Sequence, residues 1–493
     1  MDGLQIATDT LLTPRAIGLV MGGTAAGIVV GAVPGLTGAM LIALTLPLTF
    51  SMDYLSAMTL LVSMYVGSVS GGLITATLLR IPGTPASMMT TLDGYPMARD
   101  GHPGRALGLG ISASLFGGLV SWAFLVFLAR PMATLSLKLG PFEFFALVLM
   151  ALVLIASVSG AALLKGLLAG LLGILAALPG IDPGTFQPRL TLGLVELNGG
   201  FKLLPVLIGL FAITQIVQDI RQLGMTTDTV SMSRRGMLMR VSDWKRHAVN
   251  LLRSSVIGTW IGILPGIGAN IGSVVAYSVA RNASPTPGQF GKGSEEGIIA
   301  SEAANNATVG GALVPLIAMG IPGSVIDAIL LGALVIHGLQ PGPLLYEYNP
   351  EVVYTIMGSV LLANLFMFLF MLLSIGWLAR LTSIPRGYLI PPILVFSVIG
   401  SFALSNRMFD VWVMLGFGVL GVGLQAWRIP LAPFVIGFVL APIAEENLVA
   451  GLMQSGGNYT PLVTRPLSLI FLVISAALLA WSLARNRQVA REE

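Results

Sequence analysis

Apolar runs of membrane-spanning length recur from one end of this chain to the other, and they leave few folds open. Ala106 to Leu128, Val352 to Leu378 and Pro466 to Leu483 are three of them. A helix needs about 20 apolar residues to cross the hydrocarbon core, so roughly ten to twelve crossings or half-crossings are expected. Only 10% of the 493 residues are charged, against about a quarter in soluble domains. Alternating ten-residue segments are missing, which excludes a β-barrel. The fold class expected is therefore an all-α polytopic membrane protein. There is no cysteine, so disulfides, thiolate metal sites and cysteine catalysis are excluded. The N-terminus carries no basic region followed by an apolar stretch and cleavage site, so the first membrane helix is expected to act as the insertion signal.

Within this apolar background, the stretch from Gly258 to Ser324 has unusual chemistry. Pro265-Gly266 and Pro322-Gly323 interrupt it, and Asn305, Asn306, Thr308 and Gly310-Gly311 lie between the breaks. Pro and Gly both weaken helices. Irregular backbone at membrane depth survives only where protein buries it or where it lines a wet cavity. The stretch reads as a binding site inside a membrane.

The same punctuation occurs earlier. Pro34-Gly35-Leu36-Thr37-Gly38 returns 231 residues later as Pro265-Gly266-Ile267-Gly268-Ala269. Gly71-Gly72 before Ile81-Pro82-Gly83-Thr84 returns at an offset of 240 as Gly310-Gly311 before Ile321-Pro322-Gly323-Ser324. Ser157-Val158-Ser159-Gly160 pairs with Ser397-Val398-Ile399-Gly400, and Pro205…Ile208-Gly209 with Pro433…Ile436-Gly437. Four matches in one order indicate an internal duplication.

Charge sets the expected topology. Arg221, Arg234, Arg235, Arg240, Lys245, Arg246 and Arg253 crowd residues 221–253, against Asp228 and Asp243. The positive-inside rule makes this linker cytoplasmic, and likewise the tail with Arg485, Arg487 and Arg491. Membrane topology thus accounts for the net charge of +4, and no nucleic-acid partner is expected. The expected organisation is a periplasmic N-terminus (1–13), a first membrane repeat (14–220), a basic cytoplasmic linker (221–253), a second repeat (254–447), an extracytoplasmic loop with one extra span (448–484), and a cytoplasmic tail (485–493). Because one further span separates the end of the second repeat from a cytoplasmic tail, the repeats should be inverted. Inverted repeats with broken helices at matching positions are the sequence signature of secondary transporters.

A helix broken at mid-membrane points free N–H groups and its positive dipole end at an anion, while freed carbonyls can hold Na⁺. A simple packing kink is the plain alternative for one break, but four breaks in two matched pairs favour a site. The candidate substrate-binding residues are Pro34, Gly35, Thr37, Gly38, Gly83, Thr84, Ser87, Gly266, Gly268, Asn270, Asn305, Asn306, Thr308, Gly323 and Ser324, with a Na⁺ site near Asn305, Asn306 and Thr37. Any single Ser or Thr is more often glue between helices; two adjacent amides in an apolar setting need partners. Arg80 and Asp327 are candidates for a charge role, Arg80 equally for snorkelling to the interface. Glu295, Glu296 and Glu302 read as a solvated helix face. P-loop, H-E-x-x-H and G-x-S-x-G motifs are missing, so energy is expected from an ion gradient, with Na⁺ or H⁺ as coupling ion, or from a partner, and no other cofactor.

The PGLTG, GTWIGILPGIGANIGS and NNATVGGALVPLIAMGIPGS blocks resemble the large membrane subunit of tripartite tricarboxylate transporters, over essentially the whole chain. That resemblance implies a multi-pass protein of the bacterial inner membrane that imports citrate-like or other carboxylates in symport with a cation. It also implies a small membrane subunit and a periplasmic substrate-binding protein as partners. The expected mechanism is alternating access around a midplane site. A membrane-embedded transferase using Asp327 or Glu302 on a lipid-like substrate, and a passive channel, are the alternatives.

Overall fold

The computed structural model describes residues 3–158, 163–221, 230–265, 268–382, 384–403 and 405–492. Apart from a two-stranded ribbon pairing Gly180–Ile181 with Pro188–Arg189, its regular structure is helical. Seven helices are long and apolar enough to cross a membrane, and six shorter apolar helices accompany them. The breaks account for much of that division, because each cuts an apolar run into a long helix and a short one. Phe127, Leu171 and Leu373 are exposed on the outside, as a lipid-facing surface requires.

The order of elements in the first half returns in the second. Pro14–Gly31, Gly38–Thr45, Tyr54–Leu79, Met88–Arg99 and Pro103–Ser136 are answered by Val241–Ile263, Gly268–Ala283, Glu295–Met319, Val325–Ile336 and Pro350–Leu381. Packing repeats at the same offsets. A Cβ at Gly27 would overlap the Met64 carbonyl and one at Gly31 the Ser68 carbonyl; Gly258 and Gly262 meet the carbonyls of Ala304 and Thr308 in the same way. Small residues let helix backbones approach this closely. In both pairs the residue numbers rise together, so the two helices run parallel. A parallel pair needs a returning segment between its members, and Gly38–Ser51 and Gly268–Ala283 supply it.

The halves interlock through their long helices. Pro103–Ser136 packs on Glu295–Met319, and Pro350–Leu381 packs on Tyr54–Leu79. Where Pro103–Ser136 and Pro350–Leu381 meet, Gly118 lies against Asn364, and Trp122 donates to the Met357 carbonyl at 3.0 Å. One number rises as the other falls, so these two equivalent helices are antiparallel.

The end of the expected basic linker is helical, since residues 241–253 are the first turns of the helix Val241–Ile263, which continues into an apolar part. Asp243 closes its N-terminus by accepting from the Arg240 N–H at 2.9 Å. Arg105 then ties Asp243 at 2.6 Å and Glu295 at 2.8 Å, joining the first turns of three helices. The last helix, Pro466–Glu492, also runs on through most of the expected tail.

Candidate functional site

Each break folds its chain back against the helix just left. Tyr54–Leu79 ends on Arg80 with φ 58°, and Glu295–Met319 ends on Gly320 with φ 70°. Both residues are left-handed, a conformation that suits glycine and costs another residue about 1 kcal/mol. Gly83 then lies beside Gly72 and the Gly31 carbonyl, and Gly323 beside Ala312 and the Gly262 carbonyl. Gly31 and Gly262 each stand three residues before a Pro-Gly pair, Pro34-Gly35 or Pro265-Gly266. The two breaks of each half are thereby brought together.

New helices start at these points. Thr37 caps Gly38–Thr45 by accepting from the Met40 N–H at 3.2 Å, and Ser324 caps Val325–Ile336 by accepting from the Asp327 N–H at 3.3 Å. Helix starts meet both across and within the halves. A Cβ on Gly38 would lie 3.1 Å from Ile326 Cδ1 of the other half, and one on Gly268 would lie 3.9 Å from Ser324 Cβ of its own half. Pro85–Ser87, leading into Met88–Arg99, packs on Gly268–Ala283. N-terminal N–H groups lack helical partners and favour anions, so this convergence can hold negative charge. Tyr65 adds a hydroxyl 3.3 Å from Ser324 Oγ.

The candidate residues divide by environment. Gly38, Gly83, Thr84, Ser87, Gly323 and Asp327 are buried at the convergence, and Thr37, Gly268 and Ser324 are half-buried there; Pro34 is buried, and the half-buried Gly35 lies against Gln215 and Asp219. Ser87 is tied into its own turn, donating to the Thr84 carbonyl at 2.8 Å. Asn270 is exposed, and Gly266 lies outside the described residues. The Thr308 hydroxyl donates to the Asn305 carbonyl at 2.6 Å, a bond within its own helix. Arg80 is exposed, 5.9 Å above the Tyr95 ring, and borders an open cavity of about 300 Å³ with Arg99 and Lys292 rather than the buried convergence. Asp327 occupies the place of a capping-box acid, yet neither carboxylate oxygen completes a hydrogen bond.

Asn305 and Asn306 differ sharply. Asn306 accepts from Ser70 at 2.6 Å and donates to Ser114 at 2.8 Å and to the Glu302 carbonyl at 3.1 Å. Asn305 is fully buried, and neither its amide oxygen nor its nitrogen has a hydrogen-bond partner. Burying an unpaired amide is costly, so Asn305, like the unpartnered Asp327 carboxyl, is a residue in need of a ligand. Its helix packs against Pro85–Ser87. The expectation that Glu302 lies on a solvated face is wrong. Glu302 is 0% exposed, with Thr90 donating to one carboxylate oxygen at 2.5 Å and Ser114 to the other at 3.3 Å. Local sequence, with Ser301 beside it and Glu295 and Glu296 a turn or two earlier, resembles a polar approach; the partners that bury it come from elements about 190 to 210 residues away.

Comparison with known proteins adds the following. The family described as "Tripartite tricarboxylate transporter TctA family" matches residues 17–436. An "Uncharacterized 52.8 kDa protein in TAR-I ttuC' 3'region" of Agrobacterium vitis is 32% identical over 495 residues, covering 100% of this chain and 98% of that protein. An "Uncharacterized protein in TAR-II ttuC' 3'region" from the same organism is 36% identical over 211 residues, covering 43% of this chain and 87% of that protein. No solved structure matches.

Proposed function

Because this chain belongs to the tripartite tricarboxylate transporter TctA family, we propose that it is the gradient-coupled carrier of that system, binding a citrate-like carboxylate where its broken helices converge. Membership makes it a multi-pass tricarboxylate transporter subunit and not an enzyme. A lipid-modifying transferase is therefore set aside. The finer parts of the reading are inner-membrane location, a small membrane subunit and a periplasmic binding protein as partners, and alternating access coupled to Na⁺ or H⁺.

One observation carries the carboxylate site: helix starts from both halves meet, and the helix that bears the unpartnered amide of Asn305 packs on the Pro85–Ser87 turn leading into one of those starts. Several N–H groups and an amide can together replace the water around a carboxylate. Antiparallel equivalent helices support an inverted pair of repeats, the arrangement that lets one half open as the other closes.

Uptake of radiolabelled citrate into proteoliposomes, with the membrane partner present and binding protein outside, tests this. Gradient-dependent uptake that Asn305→Ala lowers about tenfold or more, the worth of a hydrogen bond to a charged group, is the expected result. Leakage that ignores the gradient would identify a passive channel instead.

A further inference from the structure

A chain of hydrogen bonds inside the protein ends on one carboxylate. Ser70 donates to Asn306, Asn306 donates to Ser114, and Ser114 donates to Glu302 Oε2; Thr90 donates to Oε1 from the other side. Each of these residues is at most 2% exposed, and they come from four helices of both halves. Among the described residues no basic side chain pairs with Glu302. The Asn305 side chain approaches its carboxylate without completing a hydrogen bond. Both carboxylate oxygens of Glu302 are thus met by a hydroxyl, and such hydrogen bonds favour the charged form of a buried acid.

An ionised carboxylate in a dry core needs a counter-charge. The atoms around it that are placed by hydrogen bonds are oxygens: two from the carboxylate and the hydroxyls of Thr90, Ser301 and Ser114; the Asn305 side chain lies one turn further along the same helix. Ser301 Oγ is 3.0 Å from Thr90 Oγ1. An all-oxygen set suits a hard cation, and a single negative charge balances a monovalent one. At the equivalent positions of the other half stand Leu61, Val62 and Tyr65, so the feature occurs in one half only.

We propose that Glu302, with Thr90, Ser114 and Asn305, binds the monovalent cation whose entry drives transport. This rests on the reading of the chain as a gradient-coupled carrier and places the coupling site one turn from the residue proposed to face substrate. Coupling then has a short physical route, since Glu302 and Asn305 stand one turn apart on one helix.

The test compares two transport modes in proteoliposomes holding the complex, under an inward Na⁺ gradient in one arm and an inward proton gradient in the other. Glu302→Gln is expected to abolish gradient-driven accumulation of citrate while keeping citrate–citrate exchange, and the arm that drives the wild type names the cation. Thr90→Val is expected to raise the cation concentration for half-maximal uptake about tenfold, as loss of a supporting hydroxyl does at ion sites. Accumulation by Glu302→Gln with wild-type ion dependence overturns the proposal. If Glu302→Gln loses both modes, Thr90→Val decides, and an unchanged cation dependence there overturns it too. A wild type that neither accumulates nor exchanges citrate refutes the carrier reading itself, a result distinct from any of these.

Discussion

Tyr54–Leu79 and Glu295–Met319 hold the same place in the two halves, and they have diverged in a telling way. Their backbones are used alike. Each receives a glycine-faced helix in parallel, each ends on a left-handed residue, and each is followed by a Pro-Gly turn that folds back on it. Their buried faces are not alike. Leu61, Val62, Tyr65 and Val66 in one stand where Ser301, Glu302, Asn305 and Asn306 stand in the other. The first is among the seven helices apolar enough to span a membrane, and the second is not, although both are buried almost throughout. The two helices thus share a backbone arrangement while the buried polar side chains stand in one of them.

If scaffold glycines are equivalent and side chains are not, the largest effects should be equal in both halves. Gly31→Val and Gly262→Val each drive a side chain into a carbonyl of the neighbouring helix. Both should lose most folded protein, at a cost of about 3 kcal/mol or more, read as monodisperse yield after detergent extraction. A tolerated Gly262→Val beside a lethal Gly31→Val would break the comparison.

The next effect should be unequal. Asn306→Ala strips partners from Ser70 and Ser114 and should cost about 1–3 kcal/mol, whereas Val66→Ala at the equivalent place should cost about 1 kcal/mol through lost packing. Thermal melting of the two variants measures the difference. A third contrast concerns the helix ends. Arg80→Gly relieves a left-handed arginine and should stabilise by up to about 1 kcal/mol, while Gly320→Ala should destabilise by a similar amount. Opposite shifts in melting temperature are the expected outcome.

The smallest effect belongs to the first-turn cluster, whose place in the first half is taken by the more exposed Arg15–Asp53 pair at 3.3 Å. The Arg105 guanidinium hydrogen-bonded to Asp243 holds that carboxyl at about 2, below its ordinary 3.8. A depressed acid contributes stability that is full above its unfolded value and fades as pH falls through the folded one. Melting temperature should therefore drop between pH 4 and about 2, and Asp243→Asn should flatten part of that drop.

How much of this was legible in the sequence follows from what each feature depends on. The breaks are local, so Pro-Gly pairs announced them, and hydropathy announced the helices. The like order of helices in the two halves was foreshadowed by Pro34 with Pro265, and Pro82 with Pro322, in the same sequence. Glu302 was not legible, since what buries it is Thr90 and Ser114, far away in sequence. Nor could adjacency show that Asn306 is fully bonded while Asn305 is free, which is decided by the faces they present one position apart. The helical end of the basic linker was hidden because its first turns are polar and its apolar face starts later. Residues 159–160 and 266–267, which carry two of the repeat matches, lie outside the described residues.

The most direct test of the account uses the absence of cysteine. Thr84→Cys and Ser324→Cys place one thiol at each half's second break, and a membrane-impermeant thiol reagent can be applied from either side of proteoliposomes containing the complex. The account predicts that citrate protects both positions, and that reversing the cation gradient changes the side from which they are labelled. Labelling of both positions from both sides at once, unaffected by citrate, would contradict it.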